Sequence, residues 1–214
     1  ELSKLIEFEP DIDSYLAYLR HLCVPADSTG NKNIKKLEPG QFIRIDKNGK
    51  ISKKIYWDPF TFSVNHDLNE KNVVEELDRL LNESVEYRKV SDVEVGLFLS
   101  GGLDSSLLGK LMKQNSDSSL KAFNVDFEEN FEGYNGELKE ARFASSEIGI
   151  NLNEEKINFD NFKEIFDNYA YYQDDLVGDE VGIPLYFLGK SSRTSGIKVV
   201  LVGEGSDELF YGYD

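Results

Sequence analysis

The segment VEVGLFLSGGLDSS, residues 93–106, decides the fold class of this chain. Its first half, Val93 to Leu99, is short and apolar and is rich in residues that favour β-strands. Its second half is a loop with two glycines, followed by residues that suit a helix. Glycines let a backbone approach phosphate closely, and free N–H groups at a helix start attract an anion. The segment therefore predicts a strand, an anion-binding turn and a helix.

A second loop, GEGSDE at residues 203–208, follows another apolar run, Ile197 to Val202. Because parallel strands of an open α/β sheet bring their carboxyl ends to one edge, we expect both loops to reach the same ligand site. The first loop offers N–H and hydroxyl groups. The second offers carboxylates, which approach phosphates only across a cation such as Mg²⁺. Together the loops predict a site for a magnesium-bound nucleotide.

Strands and helices alternate from residue 67 onward. Asp67 and Glu70 resemble a capping box and predict the start of the first of these helices. Such alternation predicts a doubly wound parallel sheet with helices on both faces. The predicted strands cover residues 93–99, 120–127, 152–159 and 197–202, and the helices after the first cover 104–113, 137–147, 162–172 and 184–194.

The first 60 residues have a different pattern. Residues 15–22 predict a short helix, and residues 41–46 and 51–57 predict two strands. The connection between these strands contains Asn48-Gly49, a strong hairpin signal because both positions tolerate positive φ. Asp58-Pro59 then opens a polar connector to the helical region. A small β-hairpin unit is therefore expected to precede the parallel sheet.

Composition excludes several classes of protein. The chain has 40 acidic and 24 basic residues and a net charge of −16, so a nucleic-acid partner is not expected. Its apolar runs are all shorter than the roughly 18 residues that span a bilayer, and no signal-peptide pattern opens the sequence. These features predict a cytoplasmic enzyme without a membrane partner. The single cysteine, Cys23, excludes an internal disulfide and is expected to be a small buried residue.

Two common phosphate-binding motifs are absent. Gly109-Lys110 is followed by Leu111 and lies too close to Gly102 for a P-loop, and Glu208 stands where a dinucleotide-binding motif needs its third glycine. Simpler alternatives remain for each loop: a tight turn with Asp104 as N-cap, or acidic residues complementing a helix dipole. Neither alternative accounts for both loops in this order.

The two loops resemble those of a known family. Residues 100–106 match the pyrophosphate-binding loop of ATP pyrophosphatases, and residues 203–210 match the second signature of the asparagine synthetases. The resemblance extends over nearly the whole chain from about Tyr15. Further matching segments are Tyr18-Leu19-Arg20, Val24-Pro25, residues 34–40, Tyr56-Trp57-Asp58 and residues 184–188.

This resemblance implies two domains and a reaction. Residues 1–62 correspond to the closing part of a glutaminase domain with its linker, and residues 63–214 to the first part of a truncated synthetase domain. In the family, ATP activates the side-chain carboxylate of aspartate as an acyl-adenylate and releases pyrophosphate. Ammonia, supplied from glutamine in the full-length protein, then displaces AMP to give asparagine. A homodimer of the full-length form stays open.

The resemblance also assigns roles to individual residues. Asp104 and Asp207 would hold Mg²⁺ against the pyrophosphate, and Glu204 would orient or deprotonate the ammonia. These three are the predicted catalytic residues. The remaining predicted nucleotide-binding residues are Ser100, Gly101, Gly102 and Ser105 for the pyrophosphate, and Phe98, Val125, Val202 and Gly203 for the adenosine. For Phe98, Val125 and Val202, plain sheet core is the alternative role.

Departures from the family pattern keep the substrate open. Val202 stands where the family often has serine, and residues 176–181 replace a segment that bears threonine and arginine in housekeeping members. Another acid, such as a sugar acid, a peptide or a β-lactam precursor, therefore remains an alternative, as does a non-catalytic nucleotide-binding module. The chain begins with Glu1 in place of the nucleophilic cysteine and stops before an expected lysine, so as a fragment it is expected to be inactive.

Overall fold

The computed structural model describes residues 2, 5–25, 27–64, 69–114, 119–128, 137–179 and 181–213. The chain divides into two compact units. The first comprises Glu1–Asp67 and Asp167–Glu180, and the second comprises Leu68–Phe166 and Val181–Asp214. Within the described residues, no helix combines the length and the apolar character needed to cross a bilayer.

Among its described residues, the first unit contains helix α1 (Ile12–His21), a hairpin of β1 (Gln41–Ile45) and β2 (Ile51–Ile55), and the end of a helix that begins in the second unit. The strands pair antiparallel, which confirms the predicted hairpin. Its turn is fixed by Asp46, whose carboxylate accepts backbone hydrogen bonds at 2.8 and 3.0 Å from the residues two and four positions later. A short 3₁₀ turn follows at Pro59–Thr61.

Cys23 lies just after α1 and is exposed, so the expectation of a buried cysteine is wrong. The helix ends at Leu22, which has a φ of 59° and caps the helix by donating its N–H to the Tyr18 carbonyl at 2.7 Å. This left-handed turn reverses the chain before Cys23 can join the apolar side of the helix.

The second unit alternates helices and strands as predicted. The helices are α2 (Glu70–Lys89), α3 (Leu103–Gln114), α4 (Glu137–Ile148), α5 (Phe159–Gln173, of which the first turns belong here), α6 (Gly182–Thr194) and α7 (Ser206–Phe210). The strands are β3 (Val95–Phe98), β4 (Lys121–Phe127), β5 (Asn151–Ile157) and β6 (Val199–Leu201).

The four strands form one parallel sheet in the order β5-β4-β3-β6. Leu97 of β3 lies beside Ala122 of β4 on one side and beside Leu201 of β6 on the other. The chain therefore builds outward from β3 in one direction and then returns to its opposite side. Ligands of such sheets bind where the order reverses, outside the carboxyl ends of the strands. Here that point lies between the loops that follow β3 and β6.

Helices cover both faces of the sheet, which confirms the doubly wound arrangement. Because successive strand residues point to opposite faces, Leu97, Leu99 and Ala122 lie on the face covered by α2, α3 and α4. The other face is built around Ile157 with α5 and α6. Its buried side chains are Ile157, Ile165 and Phe187, with Val125 and Phe127 packed against them.

Five helix starts differ from the sequence-based expectation: α1 begins three residues early, α6 begins two residues early, and α2, α3 and α5 also differ. Asn69 caps α2 by accepting the N–H of Asn72 at 3.0 Å, and the predicted cap Asp67 lies outside the described residues. Helix α5 begins three residues early, because Asn158 and Asn161 exchange side-chain-to-backbone hydrogen bonds at 2.9 and 3.3 Å. Helix α3 begins at Leu103, so Asp104 lies inside the first turn and is not its N-cap.

An ion pair ties α4 to β5 and predicts a pH dependence. Arg142 donates from Nε and Nη2 to the two carboxylate oxygens of Glu154 at 2.7 and 2.6 Å. These hydrogen bonds lower the pKa of Glu154. A carboxyl whose pKa is lowered by folding stabilises the fold above its unfolded pKa, near 4.3, and this stabilisation is lost as the pH falls through the lower folded value.

We expect Arg142→Met to reduce stability slightly at pH 7 and by less at about pH 2, because protonation of the Glu154 carboxyl removes the charge that the ion pair requires. Urea unfolding at the two pH values measures this difference. The effect is small because the side chains are 57% and 31% exposed. Lys139→Met, an exposed position on the same helix, is the matched control for loss of one positive charge. An equal loss at both pH values, or in both variants, would contradict the ion-pair explanation.

Candidate functional site

The loop after β3 is held against the start of α3 by hydrogen bonds of its serine hydroxyl groups. The Oγ atoms of Ser100 and Ser105 lie 2.9 Å apart, within hydrogen-bond distance. The Gly102 N–H donates to Ser100 Oγ at 3.3 Å, and Ser105 Oγ lies 3.3 Å from the Gly102 carbonyl. Two hydroxyls and the first N–H groups of a helix are thereby held together, which is an arrangement that suits an anion.

The two glycines of this loop have different surroundings. Gly101 has a φ of 90°, and a Cβ placed there would lie 2.3 Å from Ala141 N and from the Glu140 carbonyl carbon. A Cβ at Gly102 would meet only Ser100 Oγ, at 3.5 Å. Gly101 is therefore required by packing against the backbone of α4, whereas Gly102 faces open space.

The loop after β6 approaches the first loop at Gly203. A Cβ at Gly203 would lie 3.3 Å from Asp104 Cβ and from Ser105 N, closer than ordinary side-chain contacts. Ser206 Oγ donates to the Gly203 carbonyl at 2.9 Å and fixes the turn into α7. The absence of a side chain at Gly203 therefore lets the two loops meet across the point where the strand order reverses.

The carboxylates of the second loop divide into two groups. Glu204 and Asp207 border the cavity between the loops, whereas Glu208 is not part of its described lining. Glu208 accepts a hydrogen bond from Tyr213 Oη at 2.8 Å. Its pKa is lowered by a bond from its own backbone N–H and by the Tyr213 bond. Glu208 is thus engaged locally, and the other two carboxylates are left for a ligand.

A cavity of about 330 Å³ lies at this edge of the sheet. Its walls come from both loops, the carboxyl end of β4, and the first residues of α4 and α6. The lining residues are Phe98, Leu99, Ser100, Gly102, Asp104, Ser105, Phe123, Asn124, Val125, Asp126, Phe127, Glu137, Val181, Pro184, Leu185, Leu188, Val202, Gly203, Glu204 and Asp207.

All of the predicted site residues except Gly101 border this cavity, as the described residues define it. Three polar residues that the sequence reading passed over also border it, namely Asn124, Asp126 and Glu137. The signal for the first two was present, because Asn124 and Asp126 interrupt an apolar strand at its carboxyl end.

The donor set at the cavity fits a magnesium ion that binds together with phosphate. Among the described residues, no group of three or more histidine, cysteine or acidic side chains could hold a metal alone. Mg²⁺ usually takes one or two carboxylates, with waters and substrate phosphates completing its shell. Asp104 and Asp207 border the cavity, one from each loop, and would be the carboxylates available to such an ion.

The asparagine synthase family matches residues 76–214, which include both loops. The chain belongs to this family. It is similar to asparagine synthetase (glutamine-hydrolyzing) 1 of Bacillus subtilis strain 168, with 34% identity over 208 residues, covering 97% of this chain and 32% of that protein.

Another similar protein carries a different name. Amidase chyE of Penicillium rubens is 29% identical over 198 residues, covering 86% of this chain and 29% of that protein. The chain thus spans about a third of the length of the curated relatives it matches. Among solved structures, the NH3-dependent NAD synthetase from Campylobacter jejuni overlaps 69% of this chain and 62% of that chain, with a TM-score of 0.41 and 21% identity.

Proposed function

We propose that the intact protein is an ATP-dependent amide ligase that converts aspartate to asparagine. One observation carries the proposal: two strand-end loops enclose a single cavity, with hydroxyl and N–H groups on one loop and carboxylates on the other. Membership of the asparagine synthase family supports the reaction class. The proposal places the enzyme in the cytoplasm, with glutamine as the source of ammonia.

In the proposed first step, a carboxylate oxygen of aspartate attacks the α-phosphorus of ATP. The bond from that phosphorus to the oxygen bridging toward the β-phosphate breaks, and pyrophosphate leaves as an acyl-adenylate forms. In this proposal, Ser100, Ser105 and the Gly102 backbone exchange the hydrogen bonds that they make with one another for bonds to the departing pyrophosphate. Such donors lower the barrier because they are held close to the place where negative charge grows.

Asp104 and Asp207 are the residues that would hold Mg²⁺ at this site. When bound, the ion neutralises charge on the phosphate oxygens, which favours departure of the leaving group. Without it, carboxylates on both loops would repel a triphosphate. The proposal therefore requires both carboxylates, one from each side of the strand-order reversal.

In the proposed second step, ammonia attacks the acyl carbon and AMP leaves as the carbon–oxygen bond breaks. The new amide nitrogen loses one proton, and Glu204 is the candidate acceptor because it borders the cavity on the loop after β6. The adenosine would lie against the apolar walls formed by Phe98, Val125 and Val202. Such walls, with a few polar groups, are typical of nucleotide pockets.

The domain assignment follows from the same resemblance and is part of the proposal. Residues 1–62 are proposed as the closing part of a glutaminase domain with its linker, and residues 63–214 as the first part of the synthetase domain. The hairpin of the first unit and the parallel sheet of the second supply the described structure of these two segments.

A second candidate function is adenylation of a different acid. The relative named amidase chyE supports it, as does the departure from the housekeeping pattern at residues 176–181, of which Glu180 lies outside the described residues. Sugar acids, peptides and β-lactam precursors are the acids to consider. Both candidate functions share the same nucleotide chemistry and differ only in the acid.

Product analysis tests both. The intact protein is supplied with Mg-ATP and ammonia, with and without aspartate, and the nucleotide products are separated. We expect AMP and pyrophosphate in amounts that depend on aspartate. AMP formed only with another acid would favour the second candidate, whereas ADP and phosphate, or no turnover with any acid, would contradict adenylation.

A further inference from the structure

Asn124 and Asp126 stand at the carboxyl end of β4, and both border the cavity. Residues two apart in a strand point to the same face of the sheet. Both side chains therefore project from the face covered by α3 and α4, opposite to Val125. The sequence Asn-Val-Asp thus brings two polar groups to one side of the strand end, next to the phosphate loop.

The Asn124 side chain is nearly fully buried, at 4% exposure, and only half of its amide is satisfied within the described chain. Nδ2 donates to the Leu99 carbonyl at 2.8 Å, which fixes the orientation of the amide because a carbonyl can only accept. The other amide atom, Oδ1, is buried and has no hydrogen-bond partner among the described residues. An unpaired buried acceptor is destabilising, and native proteins rarely keep one without a reason.

Asp126 adds a second acceptor beside it. In the described part of the chain no side chain donates a hydrogen bond to its carboxylate. The guanidinium of Arg142 lies near enough for the charge of Asp126 to help raise the pKa of Arg142, but its hydrogen bonds go mainly to Glu154. This corner of the cavity therefore presents acceptors and suits a ligand that donates.

A nucleotide has few groups of that kind. Its phosphates only accept and are anionic, so its donors are the base amine and the ribose hydroxyls. Because Asn124 is bonded to Leu99, the residue directly before the phosphate loop, the group it contacts must lie near the phosphates. The ribose is the part of a nucleotide that adjoins the phosphates. It carries two adjacent hydroxyls, and Asn124 and Asp126 offer two acceptors on one side of the strand end.

We propose that Asn124 and Asp126 each recognise one ribose hydroxyl and make the site selective for ribonucleotides. This inference rests on the proposed function, since it assumes that a nucleotide occupies the cavity. Other open sheets provide a physical parallel, because an acidic residue at the end of the strand next to a glycine-rich phosphate turn bonds the ribose there. Here an amide and a carboxylate share that task.

The test compares equilibrium binding of ATP, 2′-deoxy-ATP and 3′-deoxy-ATP, each with Mg²⁺, to the intact protein. We expect the unmodified protein to bind ATP about tenfold more tightly than either analogue, the effect of losing a hydrogen bond to a buried or charged acceptor. Asp126→Ala should lose its sensitivity to removal of one hydroxyl and keep its sensitivity to the other. Asn124→Ala should show the converse pattern.

The ratio of the affinities for ATP and for each deoxy analogue distinguishes a loss of ribose recognition from a general loss of folded protein. Asn153→Ala is the matched control, because Asn153 Nδ2 also donates to a neighbouring strand, at the Ala122 carbonyl at 3.1 Å, but Asn153 is not among the cavity residues. Asn153→Ala should keep the full preference for ATP, and Asp126→Asn, which retains an acceptor oxygen, should recover part of it. Because Asp126 lies at the strand end, its variants test the inference even where Asn124→Ala does not fold.

Three results would overturn the inference. Equal binding of ATP and both deoxy analogues by the unmodified protein would show that the ribose hydroxyls are not recognised, and it would leave the proposed function intact. A uniform loss of affinity for all three nucleotides in both variants would assign the two residues a purely structural role. Absence of binding to any of the three would refute the proposed nucleotide site itself, and this inference with it.

Discussion

Gly101→Ala is expected to destabilise the second unit by about 3 kcal/mol and to abolish nucleotide-dependent activity. Two physical effects add. The φ of 90° is rarely adopted by residues with a side chain, and the new Cβ would lie 2.3 Å from backbone atoms of α4. Backbone atoms inside a helix cannot move aside as a flexible side chain can. Either the loop or the start of α4 must shift, and both border the cavity.

Urea unfolding and AMP formation measure the two effects of this change. Gly149→Ala is the matched control: Gly149 also has a positive φ, of 75°, but a Cβ there would have no neighbour within 4 Å. Gly149→Ala should lower the free energy of unfolding by about 1 kcal/mol, because only the backbone conformation becomes unfavourable, and it should leave activity unchanged. Equal losses of stability in the two variants would show that α4 moves away from the new Cβ at no cost in free energy. The close contact between Gly101 and α4 would then not explain the need for glycine.

Asp104→Ala and Asp207→Ala are each expected to reduce AMP and pyrophosphate formation by about a thousandfold, with the fold preserved. Both side chains are only partly buried, and neither belongs to the two apolar clusters, so their loss leaves the core intact. The loss arises because phosphate would meet the site without a bridging cation. We also expect excess Mg²⁺ to restore little activity, since the ligands and not the ion are missing.

Glu208→Ala is the matched control for this prediction. It removes a carboxylate from the loop that contains Asp207, but one that bonds Tyr213 and is not in the described cavity lining. Activity close to that of the unmodified protein is expected for this variant. Circular dichroism should confirm that all three variants are folded. Retained activity in both Asp104→Ala and Asp207→Ala would eliminate the proposed metal bridge.

The sequence indicated the sheet and the site where local signals were strong. Apolar runs ending in glycine loops identified β3 and β6, and Leu97 and Leu99 are indeed buried. Features that depend on a neighbouring element could not be predicted. The difference between Gly101 and Gly102 arises from contact with α4, and the orientation of the Asn124 amide depends on the Leu99 carbonyl, just after the neighbouring strand β3.

Capping was the other source of error, and its cause is also physical. Asn158 and Asn161 start α5 early by pairing with each other, which is a local signal that competed with the apolar pattern from Phe162 onward. The exposure of Cys23 depends on the left-handed turn at Leu22, which a leucine rarely adopts. In each case a single hydrogen-bonded turn overrode the apolar periodicity.

The shortness of β6 has a consequence for how the protein is made. In the described sheet this three-residue strand pairs only with β3, although the acidic loop depends on it. During synthesis the glycine loop emerges about a hundred residues before its acidic counterpart, so β3, β4 and β5 can assemble while the site is still half built. Nucleotide that contacts both loops would hold this late strand in place and slow its local opening. Substrate binding would then complete the folding of this edge of the sheet. We expect the backbone amides of Val199–Leu201 to be protected from hydrogen exchange only when Mg-ATP is present.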